Sequence, residues 1–436
     1  MNLRDHLDKG IWAVADKAIL LVYGFAVIVV VIYVLPETEY AAFALFQSVF
    51  LIICVLSDSI FLQPMVKFAS EHEAEVEQVL AASFNLYTVV MLVCGIGFAL
   101  ASAPIADLYH SPALGTMLLW LPAALILNIF RGIGIRLLQV SYRIKQIFWI
   151  DLAYYGSIIF LTVLFHSLGS FKTGMDFLKF NIIGGVISST VAIYYGWASF
   201  RAMPLLHVPR GEYGKLLTFA KFQAGTSILQ TLQQWADVLI VGIYTPPSIS
   251  LYQVALYSAA KTLYRVFDAV REGATLLIVP VASRMHTAGE KDKLSELVEK
   301  MLFVAFAVMV PVSLVLALGA EPLMKLFKYH DKFPGIEPVF EVLILSGFIL
   351  PLVLVSTNVL IGIGRVKGLF FAMLVATLVF FVLNRLLVPD MHSVGAALAV
   401  LISTGIMGIL TFIDMRRELS ISARGVARSI KNLKSS

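Results

Sequence analysis

The sequence predicts an all-α polytopic membrane protein of about 12 transmembrane helices, arranged as two six-helix lobes. Three observations predict it. Of 436 residues, 59% are hydrophobic and only 14% charged, whereas a soluble domain has about a quarter of its residues charged. The apolar residues gather into twelve runs, each close to the ~20 residues that a helix needs to cross a bilayer. The runs are continuous rather than alternating, which favours helices over barrel strands. The same composition excludes disorder, a coiled coil and a small disulfide-stapled fold.

In the first half the runs are Ile11–Leu35, Tyr40–Leu62, Leu80–Ser102, Thr116–Ile135, Ile147–Leu168 and Phe177–Phe200. In the second they are Leu217–Tyr244, Leu251–Ala282, Leu297–Ala320, Val339–Gly362, Gly368–Val388 and Val394–Ile413. Twelve spans consume most of the chain and leave no room for a folded soluble domain. Cys54 and Cys94 lie inside apolar runs, so they read as packing residues rather than a disulfide framework. Met1–Gly10 is charged and leads into a long span without a small-residue cleavage site, so no removable signal peptide is expected.

Lys and Arg in short loops mark the cytoplasmic side of a membrane protein. With the N-terminus inside, twenty fall on inner segments, Arg136 and Lys145 among them, and six of the twenty lie in the tail after Ile413. The outer loops hold four: Lys172, Lys325, Lys328 and Lys332. Both termini are therefore expected in the cytoplasm. The net charge of +5 reports topology, and no nucleic-acid partner is expected.

The halves repeat one another. Leu35-Pro36-Glu37-Thr38-Glu39-Tyr40 turns into the second span, and Thr245-Pro246-Pro247-Ser248-Ile249-Ser250 turns into the eighth. Each of these spans ends at a proline-containing boundary, Gln63-Pro64 and Val279-Pro280, followed by a charged stretch. An offset of six spans preserves orientation, which makes the halves parallel repeats with the substrate path between them. The lobes are read as 1–205 and 206–436, the second ending in a basic tail from about 414.

Charges inside the spans are the candidate site, because even a lenient scale assigns ~2.5–3.5 kcal/mol to each at the bilayer centre. In span eight, Lys261, Arg265, Asp268 and Glu272 step by 4, 3 and 4, which places them on one helical face. Arg271 sits beside them. In span seven, Gln223, Ser227, Gln230, Gln234 and Asp237 form a polar stripe, with Lys221 at its inner end. The first half contributes Asp16 and Lys17, Asp58, and Asn128 with Arg131. The bland alternative is that Arg and Asp only fasten helices together. A wet cationic cavity suits an anion, since Arg offers a bidentate fork and Lys a compact charge. Its amides suit hydroxyl-rich ligands, so a phosphorylated or acidic sugar fits both features.

No His-x-x-x-His or Cys-x-x-Cys spacing occurs, so neither metal nor cofactor is expected. There is no Gly-x-x-x-x-Gly-Lys loop, so the chain carries no ATPase of its own. The outer loops are too short to hold the catalytic groups of a membrane glycosyltransferase or polymerase, and the chain is not expected to be an enzyme. Val66–Val79 lacks the Gly- and Arg-rich signature of the major facilitator family. Transport by conformational change remains.

The twelve spans, the parallel halves, the turn "LPETEYAAFAL" and the stretch "VREGATLLIVPVASRM" resemble the polysaccharide transporter family, the Wzx-type flippases. Their superfamily also holds multidrug extruders and the lipid II flippase. Two departures are Ala41 and Ser250, where many members carry Gly. The two extra spans of the lipid II flippase are also missing. The resemblance implies that an undecaprenyl-pyrophosphate-linked oligosaccharide moves from the cytoplasmic to the outer leaflet of a bacterial inner membrane by alternating access. The product would be O-antigen, capsule or exopolysaccharide.

The resemblance also places cations of spans one, seven and eight in a central cavity, which here are Lys17, Lys221, Lys261, Arg265 and Arg271. The expected substrate contacts are these five, with Gln223, Gln230 and Gln234 on sugar hydroxyls and Arg131 from the first half. Asp58, Asp237 and Asp268 are the candidates for coupling to H⁺ or Na⁺. Expected partners are the lipid-linked oligosaccharide, membrane lipids, and a glycan polymerase or glycosyltransferases of the same pathway. The rivals are an organic-cation antiporter, which wants an acidic cavity, and a non-transporting scaffold for glycan assembly.

Overall fold

The structure is a computed structural model that describes residues 28–71, 76–141, 143–205, 208–265 and 281–419, together with 12, 15–16, 18–20, 22–24, 267 and 278–279. Its elements are helices, with no strand among the described residues. The first unit comprises 1–243 with 247–255, and the second 244–246 with 256–436.

The first unit begins with α1 (Ile28–Val34) and α2 (Glu37–Ser57). Pro36 sets the entry to α2, and Glu37 and Glu39 lie in its first turn, where negative charge complements the helix dipole. A π-turn, Asp58–Leu62, joins α2 to α3 (Gln63–Glu71). After α4 (Val76–Leu100) come two short helices, α5 (Ser102–Leu108) and α6 (Pro112–Leu118). Then follow α7 (Leu121–Val140), α8 (Ile144–Asp151), a second π-turn at Leu152–Gly156, and α9 (Ser157–Ser167). A capping box of Thr173 and Asp176 starts α10 (Gly174–Ala202), satisfying donors that a helix start leaves open. α11 (Arg210–Tyr244) runs without a break for 35 residues.

The second unit holds most of α12 (Ser250–Tyr264), then α13 (Lys291–Leu318) and the short α14 (Ala320–Leu326) and α15 (Tyr329–Lys332). α16 (Ile336–Leu345) and α17 (Leu350–Gly362) follow. They are angled by 47° at the break between them, with Pro351 at the start of α17. α18 (Val366–Glu418) contains two spans, because His392 has φ 52° and ψ −127° and breaks the helix three residues after Pro389. Gly395 follows the break, and a Cβ there would lie 2.6 Å from the Leu387 carbonyl carbon.

Ten of the twelve expected runs appear as helices, and the first and eighth are described in part. Among the described residues seven helices are long and apolar enough to cross a membrane, or eight if the bent pair is one span. Several boundaries differ from expectation, those of α7 and α11 among them. α7 starts at Leu121, after a separate helix carrying Thr116, and continues to Val140, since Arg136-Leu137-Leu138-Gln139 are good helix formers. α11 starts at Arg210, seven residues before Leu217.

The lipid-facing side of each unit is visible as rows of exposed apolar side chains at helical spacing. Val89, Val93, Ile96 and Leu100 form one on α4, Val304, Val308, Val312 and Val315 another on α13, and Phe371, Val375, Leu378 and Val382 a third on α18. Continuous apolar surface of this kind is not left facing water. The chain is a multi-pass membrane protein.

Small residues inside the bundle bring helices close, as they do wherever lipid supplies no hydrophobic drive. On α10, Ser189 Oγ donates to the Leu127 carbonyl of α7 at 2.7 Å. One turn along, a Cβ on Gly134 would lie 2.7 Å from the Ala192 Cβ. At the other end of α10, the Gly174 amide donates to Glu39 Oε2 at 2.9 Å, and Phe43 packs on Phe177 with centroids 4.8 Å apart. In the second unit Ser356 and Thr411 hydroxyls meet at 2.7 Å between α17 and α18. Ile278, Leu294, Val298, Val359, Leu360 and Met415 form an apolar core there.

Candidate functional site

A cluster of polar side chains in the first unit converges on α7. Asn128 donates from Nδ2 to Cys54 Sγ at 3.3 Å and to the Tyr87 hydroxyl at 3.2 Å. Three residues on, Arg131 pairs with Asp151. The Arg131 guanidinium also lies over the Tyr154 ring, 4.5 Å from its centroid, and over the Tyr155 ring at 5.5 Å, a cation–π arrangement that strengthens when desolvated. Only 16% of the Arg131 side chain and 14% of Asp151 are exposed. Tyr154 donates from its hydroxyl to Asn181 Oδ1 at 3.4 Å, and Tyr155 packs on Tyr23 at 4.7 Å.

Arg136, expected in the loop after Ile135, sits inside α7 and grips Asp58. Its Nε donates to Asp58 Oδ1 at 3.1 Å and its Nη2 to Oδ2 at 2.6 Å. Its Nη1 donates to Gln139 Oε1 at 2.7 Å. Arg131 and Arg136 are five residues apart, which turns them about 140° from each other around the helix. Each therefore reaches a different neighbour. Both carboxylates stand at a π-turn: Asp58 opens one and Asp151 immediately precedes the other. A π-turn carries one extra residue within the helical ladder and commonly marks functional positions.

The expected site residues separate into three groups. Arg131 and Asp58 belong to the cluster just described. On α11, Gln230 is exposed, Gln234 and Ser227 are half-buried, and Asp237 is buried. Asp237 accepts from the Val238 amide at 2.9 Å, so the stripe spans several environments. On α12, Lys261 and the adjoining Arg265 are half-buried, and both take part in interactions with neighbours. Lys17, Asp268, Arg271 and Glu272, and the side chains of Lys221 and Gln223, lie outside the described residues. Among the described residues no three His, Cys, Asp or Glu side chains come together as a metal site. The residues that sequence reasoning missed are Asp151 and Arg136 as a working set with Asp58 and Arg131. Their available signal was two arginines five apart on an apolar helix, which require two acids.

A family model described as polysaccharide biosynthesis protein matches residues 30–334. The chain belongs to that family. Solved structures share the fold of this chain at low identity. The lipid II flippase MurJ in an inward closed conformation is 14% identical with TM-score 0.74, over 96% of this chain and 89% of its own. An inward-facing multidrug resistance MATE family transporter of the MOP superfamily is 14% identical with TM-score 0.71, over 97% and 96%. A MOP superfamily transporter from Pyrococcus furiosus, described as having a binding pocket of reverse polarity, is 14% identical with TM-score 0.59, over 94% and 92%. No curated protein sequence matches the chain.

Proposed function

We propose that this chain is a flippase. It moves an undecaprenyl-pyrophosphate-linked oligosaccharide from the cytoplasmic to the outer leaflet of a bacterial inner membrane, for surface polysaccharide assembly. The observation that carries the reading is the family match combined with a multi-pass helical fold also seen in lipid II flippase and MATE transporter structures. Movement is by alternating access, powered by H⁺ or Na⁺, with Asp58, Asp237 and Asp268 as the candidate coupling carboxylates. Both termini face the cytoplasm, and the repeat divides the chain into lobes 1–205 and 206–436.

Lys261, Arg265 and Arg271, with Lys17 and Lys221, hold the pyrophosphate or an acidic sugar. Gln223, Gln230 and Gln234 contact sugar hydroxyls. What supports this is the half-buried placement of Lys261 on α12 and of Arg265 directly after it, in a run expected to lie within the membrane, where charges are costly and functional. The chain acts as a transporter and not as an enzyme. A basic and amide-rich stripe disfavours organic-cation export, which wants acidic groups.

The test is headgroup translocation in proteoliposomes, with a fluorescent polyprenyl-pyrophosphate sugar and an impermeant quencher. Each lost charge-assisted hydrogen bond removes about 1.5–3 kcal/mol, so Lys261→Gln with Arg265→Gln lowers translocation at least about 100-fold. Translocation by the double variant at the wild-type rate would overturn the assignment of these residues. Absence of translocation by the wild type, with either ion gradient, would overturn the flippase reading itself.

A further inference from the structure

The two arginines of α7 are each matched by one carboxylate, and each match falls at a π-turn. We propose that Arg131 and Arg136 are positioning residues. They lock the second, fourth and fifth spans into one block, with Asp151 and Asp58 as fixed counterions rather than carriers of the coupling ion. This removes Asp58 from the coupling candidates. It rests on the transport reading only for its consequence in translocation.

The geometry points to a lock for four reasons. The Arg136–Asp58 contact is fork on fork, with Nε and Nη2 on the two carboxylate oxygens at 3.1 and 2.6 Å. The third nitrogen donates to Gln139 Oε1 at 2.7 Å, so every nitrogen of this guanidinium already has a partner within the protein. Arginine does not deprotonate in proteins, so while the pair is intact a cation already occupies Asp58 in every step of a cycle. Arg131 is held on one side by Asp151 and by the rings of Tyr154 and Tyr155, all three contributed by the end of α8 and the π-turn after it.

The π-turns supply the reason for a lock. An added residue in the ladder weakens a helix where it occurs and lets it swing. Span two carries such a turn at 58–62 and span five at 152–156. α7 lies against both, with its two arginines turned about 140° apart, and it ties each loosened helix beside its weak point. Asn128 adds a third tie through Tyr87 to α4. A rocking motion then moves these helices together instead of bending them separately at the π-turns.

The test is a charge cycle in the full-length protein reconstituted in nanodiscs and proteoliposomes. The variants are Asp58→Asn, Arg136→Gln, the neutral double Asp58→Asn/Arg136→Gln, and the reversed pair Asp58→Arg/Arg136→Asp. The single variants leave one charge unpartnered, so each melts several degrees below the wild type and loses most translocation. The neutral double recovers most of the melting temperature and brings translocation to within about threefold of the wild type, with the same dependence on an imposed H⁺ or Na⁺ gradient. The cycle of Asp151→Asn with Arg131→Gln is read by melting alone and shows the same recovery.

A neutral double that melts no higher than the single variants would overturn the lock. So would a neutral double that melts like the wild type but translocates without any response to the ion gradients, since Asp58 would then be the coupling group. If the reversed or neutral pair fails to fold, Arg136→Lys replaces it. Lysine keeps the charge but loses the fork, so a melting temperature equal to the wild type would equally overturn the proposal. Recovery of melting by the neutral double in a protein that translocates nothing leaves the lock standing and refutes only the flippase reading.

Discussion

Gly134→Ala tests whether the approach of α7 to α10 sets the position of the arginine cluster. The added Cβ would lie 2.7 Å from the Ala192 Cβ, whereas carbon atoms rest at ~3.5–4.0 Å. The helices must part by about 1 Å to admit it. That displacement also draws Ser189 Oγ away from the Leu127 carbonyl, a bond of 2.7 Å, to a distance where a hydrogen bond has little strength. Overpacking costs about 1–3 kcal/mol and the hydrogen bond about 0.5–1.5 kcal/mol. The better helix propensity of alanine returns about 1 kcal/mol. The net expectation is a loss of about 1–3 kcal/mol, measured as reversible unfolding in mixed micelles. Ala192→Gly in the same chain removes the opposing methyl and restores most of the loss. A Gly134→Ala protein at least as stable as the wild type would refute the close approach. So would a double variant that is no more stable than the single one.

Two further outcomes follow from hydrogen bonds at the ends of elements. Asn85 donates from Nδ2 to the Leu205 carbonyl at 2.8 Å and to the Tyr213 hydroxyl at 3.0 Å, so it ties the connector before α11 to α4. Asn85→Ala releases about 1–2 kcal/mol of that restraint, and limited proteolysis between 203 and 210 becomes roughly tenfold faster. Thr173→Ala removes half of the capping box at the start of α10 and lowers stability by about 1 kcal/mol, whereas Thr173→Ser keeps the hydroxyl and leaves the unfolding midpoint close to the wild-type value.

Composition and the length of the apolar runs by themselves determined that this is a multi-pass helical membrane protein. They also located its spans, because insertion into a bilayer depends on local runs of side chains that a one-dimensional reading contains. Pro36 marked the entry to α2 for the same reason. Other features were not local. The end of α7 fell beyond Ile135 because no residue there stops a helix, and this moved Arg136 from an expected loop into the bundle. That Arg136 meets Asp58, 78 positions earlier, and that Arg131 meets Asp151 depended on which faces of three helices turn toward one another. The π-turns at 58–62 and 152–156 left no mark in the apolar periodicity, since one added residue shifts a pattern less than ordinary sequence variation does. The sequence thus showed that charges stand in the membrane and must have partners. Only the tertiary structure decided the partners, because desolvation makes a buried charge demand a counterion while packing alone chooses which one is within reach.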